Sequence, residues 1–257
     1  MSIEMAALCV AAFAAGLVDA VAGGGGLIQI PALLLLLPPD LASNIALVLG
    51  TNKVSSTCGT AVAVWRYDRH LDLPWRILAP AMAAAFACAF LGAHTVSLIP
   101  PGALRPIVLV LLVGVAVWTT FQKDNAASRA PAPIAGRSMG VVILFAAAMG
   151  FYDGIFGPGT GSFLIAGFVV WLGCDFLHAT GSAKVINLAT NLGALACFIG
   201  ASQVSWAHAL PMAACNVAGA LVGAELAVSK GSTFVRRLFL AVTTVLIAKV
   251  GWDLFRG

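Results

Sequence analysis

Two glycine-rich stretches, two lysines and two aspartates hold most of the chemistry this sequence could perform. The first stretch runs Gly16-Leu17-Val18-Asp19-Ala20-Val21-Ala22-Gly23-Gly24-Gly25-Gly26. The second runs Gly150-Phe151-Tyr152-Asp153-Gly154-Ile155-Phe156-Gly157-Pro158-Gly159-Thr160-Gly161-Ser162. Successive glycines inside an apolar segment weaken a helix and free backbone N–H groups. Pro158 prevents a regular helix in the second stretch. A break that leads into a new helix N-terminus offers N–H donors and the positive end of a helix dipole, which suits an anion. One such motif is equally well read as close helix packing through small residues. Two at matching positions favour broken helices, with Gly23 to Gly26 and Gly157, Gly159, Thr160, Gly161 and Ser162 as candidate anion contacts.

Lys53 and Lys184 sit in Gly50-Thr51-Asn52-Lys53 and Gly181-Ser182-Ala183-Lys184, each about a third of the way along an apolar segment. A lysine at the centre of a bilayer costs about 2.5–3.5 kcal/mol on insertion scales, so it must snorkel, pair, or face a wet cavity. Two readings follow: the lysines flank an anion site, or they form structural pairs with Asp19 and Asp153. The aspartates in turn are either proton acceptors or ion-pair partners. Asn52, Ser55, Ser56 and Thr57 follow the first lysine's helix. Lys184, Asn187 and Asn191 share one face of the second, at helical spacing. That face is expected to line a polar path.

The elements that must carry these residues are membrane helices. The 257 residues are 61% hydrophobic and 9% charged, against about a quarter charged in ordinary soluble domains. Apolar runs of spanning length follow one another, and the period-2 pattern of a transmembrane barrel is absent, so the backbone must satisfy itself as helices. The net charge of +4 comes from Lys and Arg at the ends of apolar runs, where they orient a chain in the bilayer and do not mark a nucleic-acid site. The six cysteines lie singly with no CxxC, which predicts small buried side chains without disulfide or metal. Met1-Ser2-Ile3-Glu4 lacks the basic start of a cleavable signal.

Roughly ten segments are expected, at 4–22, 26–38, 41–65, 74–98, 102–121, 138–156, 161–174, 177–200, 205–228 and 233–254. The segments at 26–38 and 161–174 are short for spans, and whether they cross or re-enter stays open. A constant shift pairs Gly50 with Gly181, Lys53 with Lys184, Trp75 with Trp206, Pro80 with Pro211, Gly92 with Gly223 and Arg105 with Arg236. A slightly different shift pairs Gly16, Asp19, Gly23 and Gly25 with Gly150, Asp153, Gly157 and Gly159. The expected organisation is a first membrane repeat over 1–122, a basic cytoplasmic linker over 123–137 and a second repeat over 138–257. Arg66, Arg69 and Arg76 follow the third segment, whereas the equivalent loop 201–205 is uncharged and Lys230, Arg236 and Arg237 follow the ninth. By the positive-inside rule the halves are inverted. The fold class is thus an all-α polytopic membrane protein of two homologous halves with interrupted or re-entrant glycine-rich helices.

Enzyme readings are weak. Ser162 and His178 suggest an intramembrane serine protease, but Gly161-Ser162-Phe163 is not a nucleophile turn. There is no Walker A loop, HExxH or haem motif, so no cofactor is expected. The favoured function is a secondary carrier for a small anion. The alternatives are an anion channel, or a membrane protein that transports nothing and acts through a partner. A homo-oligomer is compatible with all three.

The chain resembles the sulfite exporter TauE/SafE family. The resemblance rests on the duplicated glycine-rich motif, each copy preceded by Gly16-Leu-Val-Asp19 or Gly150-Phe-Tyr-Asp153 and followed by a short apolar helix, and on Thr51-Asn52-Lys53. It covers nearly the whole chain. Pro158 and Thr160 depart from the family's usual aliphatic or glycine residues, which bears on the local backbone path. The resemblance implies transport of sulfur-containing anions (sulfite, sulfonates or relatives), commonly by export, across a bacterial inner membrane.

Overall fold

The computed structural model describes residues 2–96 and 139–256, within which all regular structure is helical. The segment expected at 102–121 and the linker at 123–137 lie outside the described residues. The elements are α1 (Ile3–Ala22), α2 (Gly25–Leu36), α3 (Pro39–Ala42), α4 (Ile45–Asp68), α5 (Trp75–Val96), α6 (Met139–Ile155), α7 (Thr160–Val170), α8 (Phe176–Gly200) and α9 (Trp206–Arg256). The last is interrupted at Gly231, whose φ of 74° and ψ of −176° are not helical.

Local chemistry sets the boundaries. Asn44 caps α4, its side chain accepting from the Leu47 N–H, and Pro38-Pro39 opens the separate turn of α3 just before it. The segment expected at 41–65 therefore starts later and ends at Asp68. Asp175 opens α8, accepting from the N–H groups of Leu177 and His178.

Four described helices are long and apolar enough to cross a membrane: α1, α5, α8 and the Trp206–Gly231 part of α9. With 24 residues, α4 is long enough too, but Thr51, Asn52, Lys53 and Ser55 lower its hydropathy. Those side chains are buried among other helices, so the polar content faces inward and costs no contact with lipid. Large apolar side chains such as Ile3, Leu35 and Leu144 point outward, more than 70% exposed, as expected of a surface solvated by hydrocarbon. By contrast α2 and α7, with 12 and 11 residues, are about 18 and 17 Å long at 1.5 Å per residue, well short of the ≈ 30 Å hydrocarbon core.

Packing between residues 2–96 and residues 139–256 is reciprocal. Helix α1 lies along α9 and α6 lies along α5, each pair drawn together at glycines. Gly16 abuts the backbone of Asn216, and its counterpart Gly150 abuts Ala85, the counterpart of Asn216. Gly92 abuts Phe151 and Gly154, and its counterpart Gly223 abuts Leu17 and Ala20. In both cases one segment gives the glycine and the other the carbonyl, and the roles then exchange. Small residues at these positions let backbones approach where hydrophobic burial between helices gives little drive in lipid.

Candidate functional site

The two glycine breaks meet at the centre of the molecule. Helix α1 ends at Gly23, which takes the left-handed conformation (φ 75°), and α2 begins two residues later. The second break is longer. Gly157 and Gly159 both have positive φ (91° and 81°), with Pro158 between them, before α7 begins at Thr160. This is where the second motif departs from the first, and two left-handed glycines accommodate the rigid proline.

Gly23 and Gly161 are in backbone contact. A Cβ on Gly161 would lie 2.6 Å from the Cα of Gly23, so no larger residue fits there without moving the chain. The Ser162 N–H donates to the Gly23 carbonyl at 3.1 Å, and the Ser162 hydroxyl donates to the Ala22 carbonyl at 2.8 Å. Orphan carbonyls at the end of α1 are thus satisfied by the start of α7. Two tyrosines brace the arrangement: the Tyr67 hydroxyl donates to the Ala20 carbonyl (2.8 Å) and the Tyr152 hydroxyl to the Pro158 carbonyl (2.9 Å).

Around this contact the four charged residues form two ion pairs, and both join residues 2–96 to residues 139–256. Lys53 of α4 pairs with Asp153 of α6 at 2.6 Å, their side chains 3% and 2% exposed. Lys184 of α8 pairs with Asp19 of α1 at 2.7 Å, with exposures of 0% and 18%. Lys53 also donates to Asn191 (2.9 Å), and Asn191 donates to Asn187 (3.1 Å). Asp19 accepts a second bond at 3.3 Å from the N–H of Gly25, the first residue of α2. A carboxylate therefore already sits at that helix N-terminus, where an anion is favoured.

A polar cavity of about 20 Å³ opens between these groups, with room for a water molecule but not for an oxyanion. Asn52, Lys53, Asn187 and Asn191 line it, with Asp19 and Asp153 and the glycines Gly23, Gly26, Gly157, Gly159 and Gly161. Gly26 and Gly161 are each the second residue of a short helix, so their N–H groups have no partner within that helix. Of the other expected residues, Gly24 caps α2 and Gly25 is held by Asp19, while the Thr160 hydroxyl donates to the Gly157 carbonyl. Ser162 is committed to the end of α1, and Lys184 to Asp19 away from the cavity lining. Although Lys184 shares a helical face with Asn187 and Asn191, its long side chain reaches across to α1.

Ser56 also lines the cavity, one turn beyond Lys53. A second polar contact, Asn216 to Gln29 at 3.2 Å, is buried between α9 and α2. Sequence reasoning gave no role to Gln29, Asn216 or the two tyrosines. The only available signal was that the chain's two tyrosines fall on helices bearing the motifs. Of the six cysteines Cys174 is buried, Cys58 is exposed and the other four are intermediate, so they are not uniformly the small buried side chains expected.

Buried charge pairs at broken helices within an all-helical membrane protein define a class, the membrane transporters. The chain belongs to the sulfite exporter TauE/SafE family, whose sequence profile matches residues 8–250. It is 34% identical to the "Probable membrane transporter protein ORF9" of Sinorhizobium sp. over 96% of this chain and 92% of that protein. It is 30% identical to a "Probable membrane transporter protein" of Haemophilus influenzae, covering 97% and 95% of the two chains. The same identity relates it to the "Probable membrane transporter protein YfcA" of Escherichia coli K12, over 94% and 87%. No solved structure matches the chain significantly.

Proposed function

We propose that this protein is a secondary carrier that exports a small sulfur-containing anion, such as sulfite or a sulfonate, across a bacterial inner membrane. The observation that carries the reading is the pair of Lys–Asp bridges crossed between the halves at two apposed glycine breaks. Charges this deeply buried are expensive to keep, and transport pathways are where membrane proteins keep them. The anion site is formed by Lys53, the N–H groups of Gly26 and Gly161, and Asn52, Asn187 and Asn191, with Lys184 reaching it through Asp19. The two halves form an inverted repeat of about five segments each. Reciprocal glycine contacts and crossed ion pairs support that reading, because both are what a two-fold relation between halves generates. Alternating access then moves one half against the other about the fixed site, with α2 and α7 as re-entrant helices.

A carrier is favoured over a channel because the polar cavity holds no more than a water molecule in this state. The testing experiment is counterflow in proteoliposomes, with labelled sulfite or ethanesulfonate trapped against a panel of unlabelled sulfite, thiosulfate, sulfonates, sulfate and carboxylates. Saturable exchange with a sulfur-containing subset is the expected result. Conductance with no counterflow would point to the channel, and no exchange from folded protein would remove the carrier reading.

A further inference from the structure

We infer that Asp19 and Asp153 are tethered counter-ions that take up protons as the anion binds, so that each negative charge crosses the membrane with one proton. This rests on the carrier reading above and assigns its coupling ion; export is then driven by the anion's own outward gradient and not by the proton gradient.

The argument is one of charge balance. The site holds two ammonium groups and two carboxylates, and each ammonium is committed to a carboxylate at 2.6 or 2.7 Å. The pairs therefore sum to zero before any substrate arrives. An added anion leaves the site one charge negative, in surroundings where Lys53, Asp153, Asn52 and Asn191 are all less than 5% exposed. An uncompensated charge there is strongly disfavoured.

The short helices do not supply the missing charge. The end of α2 is already occupied by Asp19 through the Gly25 N–H. The end of α7 offers the equivalent of about half an elementary charge, which is less than one anion brings.

The other groups facing the pairs cannot supply it either. From α4, Tyr67 is committed to the Ala20 carbonyl, and on α6 Tyr152 is committed to that of Pro158. Asn187 and Asn191 of α8, and Asn216 and Gln29 between α9 and α2, are neutral amides. The α5 face against α6 presents Ala85, Ala89 and Gly92. His94, His178, Arg66 and Glu225 lie towards helix ends and are at least partly exposed. Among the described residues, only the two carboxylates are placed to take up a proton at the cavity.

A proton from the aqueous phase, bonding to an aspartate Oδ, cancels one negative charge and releases that aspartate's lysine to the substrate. It also makes room, since a carboxylate released from its lysine is free to swing out of a cavity of about 20 Å³. Proton and anion then enter as a neutral pair, and the return step carries the re-formed Lys–Asp bridges.

The test uses the full chain in proteoliposomes loaded with a pH indicator, and whichever panel anion shows counterflow. A fully ionised probe such as ethanesulfonate is preferred, because sulfite buffers protons itself. Expected are proton co-movement with net anion flux, one per negative charge, and about tenfold accumulation of a monovalent anion on the alkaline side per unit of pH gradient. A potassium–valinomycin potential should leave the flux unchanged. With Asp153→Asn, remaining flux should lose pH dependence and respond to potential, and the wild-type result decides the matter should that variant not fold. Counterflow without proton movement, or accumulation that follows the potential and not the pH gradient, would overturn the coupling and leave the carrier intact. Absence of counterflow for every anion would instead remove the carrier reading on which the coupling rests.

Discussion

Removing one member of the Lys53–Asp153 bridge should be far more harmful than removing both. Lys53→Met leaves Asp153 at 2% exposure with its cation gone. Breaking a buried pair in this way costs about 3–5 kcal/mol, whereas replacing both members by apolar residues of similar size is often close to neutral. For a chain of this length each kcal/mol moves the midpoint by about 2–4 °C, so Lys53→Met should lower Tm by roughly 6–20 °C. The double variant Lys53→Met/Asp153→Leu should lie within a few degrees of wild type. The second bridge orders its members differently. Lys184→Met leaves Asp19 partly exposed and still held by the Gly25 N–H, so it should be milder than Lys53→Met. Asp19→Ala strands Lys184 at 0% exposure, whereas Asp153→Ala leaves Lys53 its bond to Asn191, so Asp19→Ala should be the worse of the two. The assay is thermal unfolding of detergent-purified protein, read as a double-mutant cycle. A double variant as unstable as Lys53→Met alone would refute the reasoning, as would a single variant with wild-type Tm.

Three further outcomes follow from the geometry. Gly161→Ala should abolish folded protein, because its methyl would collide with the Gly23 backbone, while Gly200→Ala, with open space around it, should leave Tm within a degree or two; expression and size-exclusion profiles separate them. Arg66→Ala should cost no more than about 1 kcal/mol, since the Arg66–Glu225 pair is partly solvated, and the same thermal assay checks it. In a cysteine-free background, His70→Cys and Ala201→Cys, at corresponding places in the two repeats, should be labelled by an impermeant thiol reagent from opposite sides of the membrane. Labelling from one side would contradict the inversion.

The helices and the breaks between them were legible in the sequence because apolar runs and glycine clusters leave local signatures. The start of α4 was misplaced by a few residues because Asn44 could be recognised as its cap only against the proline-led turn of α3. The charged residues were visible as candidates, since four ionisable side chains inside apolar helices have few structural excuses. Their partners were not visible. The sequence was equally compatible with a bridge from Asp19 to Lys53, and only the packing of α1 on α9 and of α6 on α5 sends Asp19 to Lys184 and Asp153 to Lys53. The fate of Ser162 was also hidden. Its hydroxyl looks like a ligand in the motif but is consumed by the Ala22 carbonyl, a contact that exists only because the two breaks touch. Reading such a site depends on long-range contacts that periodicity does not encode.

The most direct test of the central claim is counterflow by the Lys53→Met/Asp153→Leu variant, reconstituted beside wild type after both are shown to be folded. The account predicts native-like stability with exchange of every panel anion lost, because the cavity keeps its shape but loses the lysine that lines it. Exchange at the wild-type rate in that folded variant would contradict the placement of the anion at Lys53 and the glycine breaks.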